Sequence, residues 1–319
     1  MHEPHSLDSV PCALCAHIET RVVQRIASSR LAQAYRSELG LAVEFTDDEL
    51  FYRECAECGL LFFSPAVTGD EHFYGNLQHI SWYYSEGKQA FRIAAPHVEA
   101  AHHVLEIGAG RGLFAKEISP ASYTGLEFSP AAIQLAAQSG IRLLSQTIEE
   151  HALERPNSYD VVCAFEVLEH VAAPRTFLDA AIRCLKPGGR LLISVPGQDS
   201  FQRFALWDVL NMPPHHITHW TDECLRAVGP ICGVRVVSIT PEPLGRNMRR
   251  LFARAAAERW LVKWFGFEPQ LLDARLRSPL FRSLAAMVAT IVRRYLAVSD
   301  NSGRRGQSVV GVFQKEPAT

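Results

Sequence analysis

From His102 onward the chain alternates short apolar runs with segments of helical spacing, and nothing else in it restricts the fold as tightly. Runs at 103–107, 122–128, 141–144, 159–165, 190–195 and 233–240 read as strands. Between them, Phe177, Leu178, Ala181, Ile182 and Leu185 recur at the spacing of one helix face. Ser129-Pro130 is a helix start, a hydroxyl N-cap followed by proline at the first helical position. Lys186-Pro187-Gly188-Gly189 is expected to end another helix and turn into a strand. Such alternation predicts right-handed βαβ units and a mostly parallel sheet with helices on both faces. At 319 residues, 48% hydrophobic and 21% charged, the chain has material for a full core.

Ligands of such sheets bind beyond the carboxyl ends of the strands. The first run, Val104-Leu105-Glu106-Ile107, enters the turn Gly108-Ala109-Gly110-Arg111-Gly112, which is expected to open a helix. Glycines let backbone approach a ligand closely, and a helix start directs N–H groups at it. Glu127, at the end of the next strand, suits the two hydroxyls of a ribose. The dinucleotide pattern G-x-G-x-x-G would need glycine at 113, where Leu113 stands. Glu106, Gly108, Gly110, Glu127 and Phe165-Glu166 all fall at strand ends on one edge of the sheet.

Of the eight cysteines, four form two C-x-x-C pairs, Cys12/Cys15 and Cys55/Cys58, enough thiolate for one tetrahedral zinc site. Between the pairs, Leu31 to Leu39 is expected to be helical, and Val43-Glu44-Phe45 and Leu50-Phe51-Tyr52-Arg53 to be strands. Cys163, Cys184, Cys224 and Cys232 read as buried thiols of a reducing compartment. The N-terminus is polar with no signal-type apolar stretch after it, so a cytoplasmic location is expected. The net charge of −2 gives no global attraction to nucleic acid. Charge is uneven, however: eleven Arg or Lys between Arg246 and Val298 face only Glu258, Glu268 and Asp273.

Residues 102–240 resemble class I S-adenosylmethionine (SAM)-dependent methyltransferases of the small-molecule group that includes ubiquinone-pathway enzymes. The resemblance lies in VLEIGAGRG, GLEFSP, SYDVVCAFEVLEHV and LKPGGRLLISVPG. With the cysteine module in front, the chain is similar to zinc-ribbon-fronted methyltransferases, among them deoxysugar C-methyltransferases. The resemblance implies a doubly wound, Rossmann-like, seven-stranded α/β sheet, its last strand (306–313) inserted antiparallel. It also implies that Glu106 lies near the methionine ammonium while Gly108, Ala109, Gly110 and Gly112 wrap the sulfonium side. Glu127 would bind the ribose diol, Phe128 would pack on adenine, and Thr147 and Ile148 would approach the adenine edge. Phe165 and Glu166 would stand beside the methyl donor.

Five regions follow: a zinc-ribbon-like module at 1–65, an aromatic linker or lid at 66–100 that includes Tyr83 and Tyr84, and a SAM-binding core at 101–240. A basic amphipathic insertion at 241–303 and a last strand with tail at 304–319 complete the chain. After the fifth strand of the core comes Pro213-Pro214-His215-His216-Ile217-Thr218-His219, ahead of a helix capped by Thr221. Histidine titrates near neutrality, so His215 and His216 are candidate general bases; the bland alternative is that they brace the loop. Glu166, Glu169 and His170 form E-x-x-E-H, which with a histidine of 215–219 could hold Mg²⁺ or a similar ion, an arrangement that resembles metal-dependent methyltransferases of small RNAs. The missing (Asn or Asp)-Pro-Pro-(Tyr or Phe) motif argues against amino-group methylation by that route. The expected activity is methyl transfer to a small-molecule acceptor. An RNA methyltransferase and a non-catalytic SAM-binding scaffold are the alternatives. The arm at 246–298 is expected to cover the sheet, gate the acceptor or make a dimer or membrane-surface contact.

Overall fold

The computed structural model describes residues 10–78, 89–298 and 303–317. In the front part, β1 (Thr20–Ala27), α1 (Ser28–Leu39), β2 (Glu49–Cys55) and β3 (Leu61–Ser64) follow one another. Next come α2 (Glu71–Gln78) and α3 (Gln89–Ala94). The main sheet then begins with β4 (His103–Ile107), β5 (Ser122–Leu126), α4 (Pro130–Gln138), β6 (Leu143–Leu144), α5 (Ile148–Glu154) and β7 (Tyr159–Phe165). It continues through α6 (Pro174–Cys184), β8 (Leu185–Pro196), β9 (Thr218–His219), α7 (Asp222–Cys232) and β10 (Val234–Pro243). The helical insertion is α8 (Arg249–Trp264) and α9 (Pro279–Val298), and β11 (Arg305–Lys315) follows.

Seven strands form the main sheet in the order β10-β11-β8-β7-β4-β5-β6. β5 to β4 to β7 to β8 are parallel, and β11 is inserted antiparallel between β10 and β8. The doubly wound, mostly parallel sheet expected from the alternation is therefore present. β7 shows why the pattern was readable: Val161, Val162, Cys163 and Ala164 are fully buried, as a strand covered on both faces requires. On one face Leu105, Val162 and Ile193 pack with Phe177, Leu178 and Leu225 of α6 and α7; on the other Val104, Val161 and Leu192 meet Phe91 of α3. Each such side chain stabilises the fold by about 1.5–3 kcal/mol through burial.

Several local expectations change. The glycine turn is followed by a single tight turn, Phe114–Lys116, and not by a regular helix. The chain must return to β5 at Ser122 through Pro120, which leaves too few residues to repay helix nucleation. Val43-Glu44-Phe45 forms no strand, and Lys186–Gly189 lies within β8, since α6 already ends at Cys184. β1 was not anticipated, and neither was β3. β3 pairs with β2 from Leu61 to Ser64, and on its other side Leu61 and Phe62 pair with His219 and Thr218 of β9, so the front sheet β1-β2-β3-β9 takes its last strand from the histidine loop.

The helical arm packs on itself and on the loop after β8, through Leu206, Leu261, Val262, Leu276 and Phe281. It also grips the front sheet. Gln24 exchanges two hydrogen bonds with Leu271, Arg30 donates to the Leu272 carbonyl at 2.6 Å, and Arg277 pairs with Glu38. Among the described residues no helix is long and apolar enough to cross a membrane. Tyr83 and Tyr84 lie outside the described residues.

Candidate active site

The glycine turn is built by packing as much as by backbone freedom. Gly108, Gly110 and Gly112 all have positive φ, at 67°, 55° and 69°. A Cβ on Gly108 would stand 2.5 Å from Val167 Cγ2, and one on Gly112 would stand 2.8 Å from Ile141 Cδ1. Gly110 differs: a Cβ there would meet nothing within 4 Å, so its backbone faces open space. The Ala109 N–H donates to the Leu126 carbonyl at 2.9 Å, tying the turn to the end of β5. Glu127 completes the link. Its Oε2 accepts from the Gly110 N–H and its Oε1 from the Phe128 and Ser129 N–H groups, all at 2.8 Å.

The other cofactor candidates divide by where their side chains go. Glu106 is buried and accepts from the Tyr123 hydroxyl at 2.5 Å. Burial and the Glu106 charge push the Tyr123 phenol well above its ordinary range. Phe128 is 62% exposed beside Glu127, open to a flat ligand. Thr147 caps α5 in a capping box with Glu150, which leaves its hydroxyl accepting from a backbone N–H. The side chains of two candidates are buried in the core. Ile148 is buried in the main core, and Phe165 packs against Phe91 and Phe114 with ring centroids 5.0 and 4.7 Å apart. Their parity on the strand and helix turns them inward, so only main chain is offered at those positions. Glu166, with a strained φ of 59°, accepts from the Ser194 hydroxyl at 2.9 Å. Glu166 is not in the group of donor atoms formed by His170, His215 and His216.

The histidine loop folds inward. His215 and His216 are both buried and stacked, ring centroids 4.5 Å apart, and His170 lies edge-on to each. Burial, reinforced by neighbouring imidazoles, holds His215 and His216 well below the ordinary histidine range. Both are therefore neutral at pH 7. His219 is a brace: its Nδ1 meets the Tyr52 hydroxyl at 2.7 Å and its Nε2 the Asn211 carbonyl at 2.9 Å. Burial pushes it down to about 4. Tyr74 was missed in the sequence as a member of this group; its ring packs against His170 and His215. Only the aromatic richness of the linker could have signalled it. The cluster is close to the cofactor turn in the chain, because Val167, which abuts Gly108, is three residues from His170.

The four front cysteines converge as their spacing predicts. Cys12 and Cys58 sulfurs are 3.5 Å apart, as are those of Cys15 and Cys55, and all four lie within 4.8 Å of one another. Tetrahedral zinc–sulfur bonds of about 2.3 Å set sulfurs roughly 3.8 Å apart, so the donor set fits that ion. As thiols, Cys12 is raised by its bond to Cys58 and by burial, and Cys15 is pushed up by burial to about 11. Of the remaining cysteines, Cys163, Cys184 and Cys224 are buried and Cys232 is partly so.

Comparison with known proteins accords with this geometry. A family model described as a methyltransferase domain matches residues 82–236. A ubiquinone biosynthesis O-methyltransferase of Klebsiella pneumoniae is 38% identical over 99 residues, 28% of this chain and 41% of the relative. One of Salmonella enteritidis is 36% identical over 161 residues, 43% of this chain and 66% of the relative. The chain thus spans only about two fifths of the length of the first of these relatives. Among solved structures, a SAM-dependent methyltransferase from Archaeoglobus fulgidus is 17% identical with a TM-score of 0.48, covering 77% of this chain and all of its own. The matched span holds the glycine turn, Glu127 and the whole parallel part of the sheet, and across it the chain carries a methyltransferase domain.

Proposed function

We propose that this chain transfers a methyl group from SAM to a small-molecule acceptor, of the sugar, natural-product or lipid-linked kind. The observation that carries the reading is the Glu127 carboxylate held against the Gly110 N–H, with open space beside that glycine. In this reading Glu127 exchanges its backbone bonds for the two ribose hydroxyls, and Phe128 covers the adenine. The backbone of Gly108, Ala109, Gly110 and Gly112 lies along the methionyl end, with Glu106 beneath it. Thr147 and Ile148 border the adenine, and Phe165 and Glu166 border the sulfonium, chiefly through main chain.

The cofactor supplies a methyl carbon on a positively charged sulfur. The acceptor atom bonds to that carbon as the carbon–sulfur bond breaks, and the bond pair stays on sulfur. The acceptor must shed a proton. Neutral His215 and His216 are the bases assigned to it, with His170 as the partly exposed edge of the cluster. Zinc on Cys12, Cys15, Cys55 and Cys58 would fasten the front sheet and take no part in transfer. The arm at 246–298 packs on the loop after β8 and on the front module and offers exposed Trp264, Met287 and Ile291 to a second copy or a membrane surface, and the location is cytoplasmic. Incubation with methyl-labelled SAM and a fractionated cell extract tests the assignment. Label is expected in the low-mass or lipid pool; label confined to RNA would overturn it in favour of a nucleic-acid substrate.

A further inference from the structure

The histidine cluster has an order that a proton-accepting role alone does not require. Each of its three rings has Nδ1 against a carbonyl oxygen. His170 meets the His215 carbonyl at 2.6 Å, His215 the Leu210 carbonyl at 2.7 Å, and His216 the Asn211 Oδ1 at 3.2 Å. A carbonyl oxygen only accepts, so Nδ1 carries the hydrogen and, in a neutral ring, Nε2 carries the lone pair. Each ring places a nitrogen within 4.8 Å of the other two. Glu169, only 1% exposed, has Oε1 3.7 Å from His170 Nε2 and 3.9 Å from His216 Nε2.

Imidazoles fixed in one tautomer by a carbonyl, with the Nε2 atoms of two of them beside a buried carboxylate and a nitrogen of the third within 4.8 Å, are the kind of arrangement found around metal ions. Four donors bonded at about 2.0–2.1 Å in a tetrahedron stand roughly 3.3 Å apart. The observed separations, 3.7 and 3.9 Å to Glu169 and up to 4.8 Å between the imidazoles, are wider, so the donors draw together around a bound ion. We propose that His170, His215 and His216, with Glu169, form a second metal site in this chain, separate from the four cysteines.

Its donors specify the class of ion. Three nitrogens and one carboxylate suit zinc or a similar first-row divalent ion, whereas magnesium demands an octahedron of oxygens. Glu166 accepts from Ser194 and is not in the group formed by the three histidines, so it is left out of the proposed donor set. The site stands on this geometry alone. Its use in methyl transfer rests on the function proposed above: an ion here would lower the pKa of an acceptor oxygen bound to it. With an ion bound, His215 and His216 are its ligands, a role that replaces the base role given to them above, and the proton passes to water.

Cobalt(II) distinguishes the two sites, since thiolate ligands produce an intense sulfur-to-cobalt charge-transfer band and imidazole–carboxylate ligands produce only weaker d–d bands. The full chain, stripped of metal and titrated with Co²⁺, is expected to bind two ions, one with and one without the thiolate band. His170→Ala and His216→Ala should each abolish the ion without the band. The retained thiolate band reports that the front sheet is still folded. Asn211→Ala, which removes only the acceptor behind His216, should weaken that ion by about 10- to 100-fold. A single Co²⁺ with thiolate character, or unchanged stoichiometry in both histidine variants, would overturn the site. One ion lacking the thiolate band would uphold it and refute the cysteine site instead. SAM binding, measured on the same samples, reports separately on the proposed function.

Discussion

Glu127 shows how one side chain can be read twice. Its position after the second strand of the core pointed to a ribose, and in the fold it is the clamp that joins the glycine turn to the end of β5. Gly110 beside it could be read only in part. Its spacing in G-A-G-R-G was visible, but packing separates its role from those of Gly108 and Gly112, which are pinned by Val167 and Ile141. Those partners are far away in sequence and carry no local signature. His151 illustrates a residue with a measurable signature away from either site. It is buried between Gln146 and Tyr159, and burial lowers its pKa below the ordinary 6.5. The unfolded chain therefore takes up the proton first as pH falls. The stability this group contributes is complete above pH 6.5 and is lost as pH falls through the folded value. Urea midpoints should drop between pH 7 and pH 5, and His151→Gln should flatten that slope by up to about 1.4 kcal/mol per pH unit. An unaltered slope would show that His151 titrates as it does in the unfolded chain.

At the scale of elements, legibility follows the distance over which the determining contacts act. Ser129 and Thr221 each accept from the N–H three residues on and start α4 and α7 where expected, because a cap is decided within one turn. Thr221→Ala should therefore cost about 1 kcal/mol, read as a lower thermal midpoint, with SAM affinity unchanged. Loss of SAM binding in that variant would mean that α7 helps shape the cofactor site. β7 was legible because both its faces are buried. β3 was not: it is only four residues long, and although it pairs locally with β2, its other partner β9 is more than 150 residues further along the chain. The helix expected after the glycine turn failed for a reason visible only once β5 was located: the connection is too short.

The whole molecule joins three parts that sequence reading had separated. The histidine loop closes the front sheet through β9, and the helical arm is bonded to β1 and α1 through Gln24, Arg30 and Arg277. Cys12, Cys55 and Cys58 belong to the same core as Leu105, Ile193 and Trp220. The front module, Trp220 at the end of the histidine loop and the main sheet thus share one hydrophobic interior. Composition could not indicate this, because it depends on which loops meet and not on which residues they contain. Everything functional still depends on the cofactor turn. The most direct measurement is calorimetric SAM binding to the full chain and to Glu127→Ala. Saturable binding at one site per chain is predicted, weakened about 10- to 100-fold by the substitution as charge-assisted hydrogen bonds to the ribose are lost. Absence of binding, or an affinity indifferent to Glu127, would contradict the account.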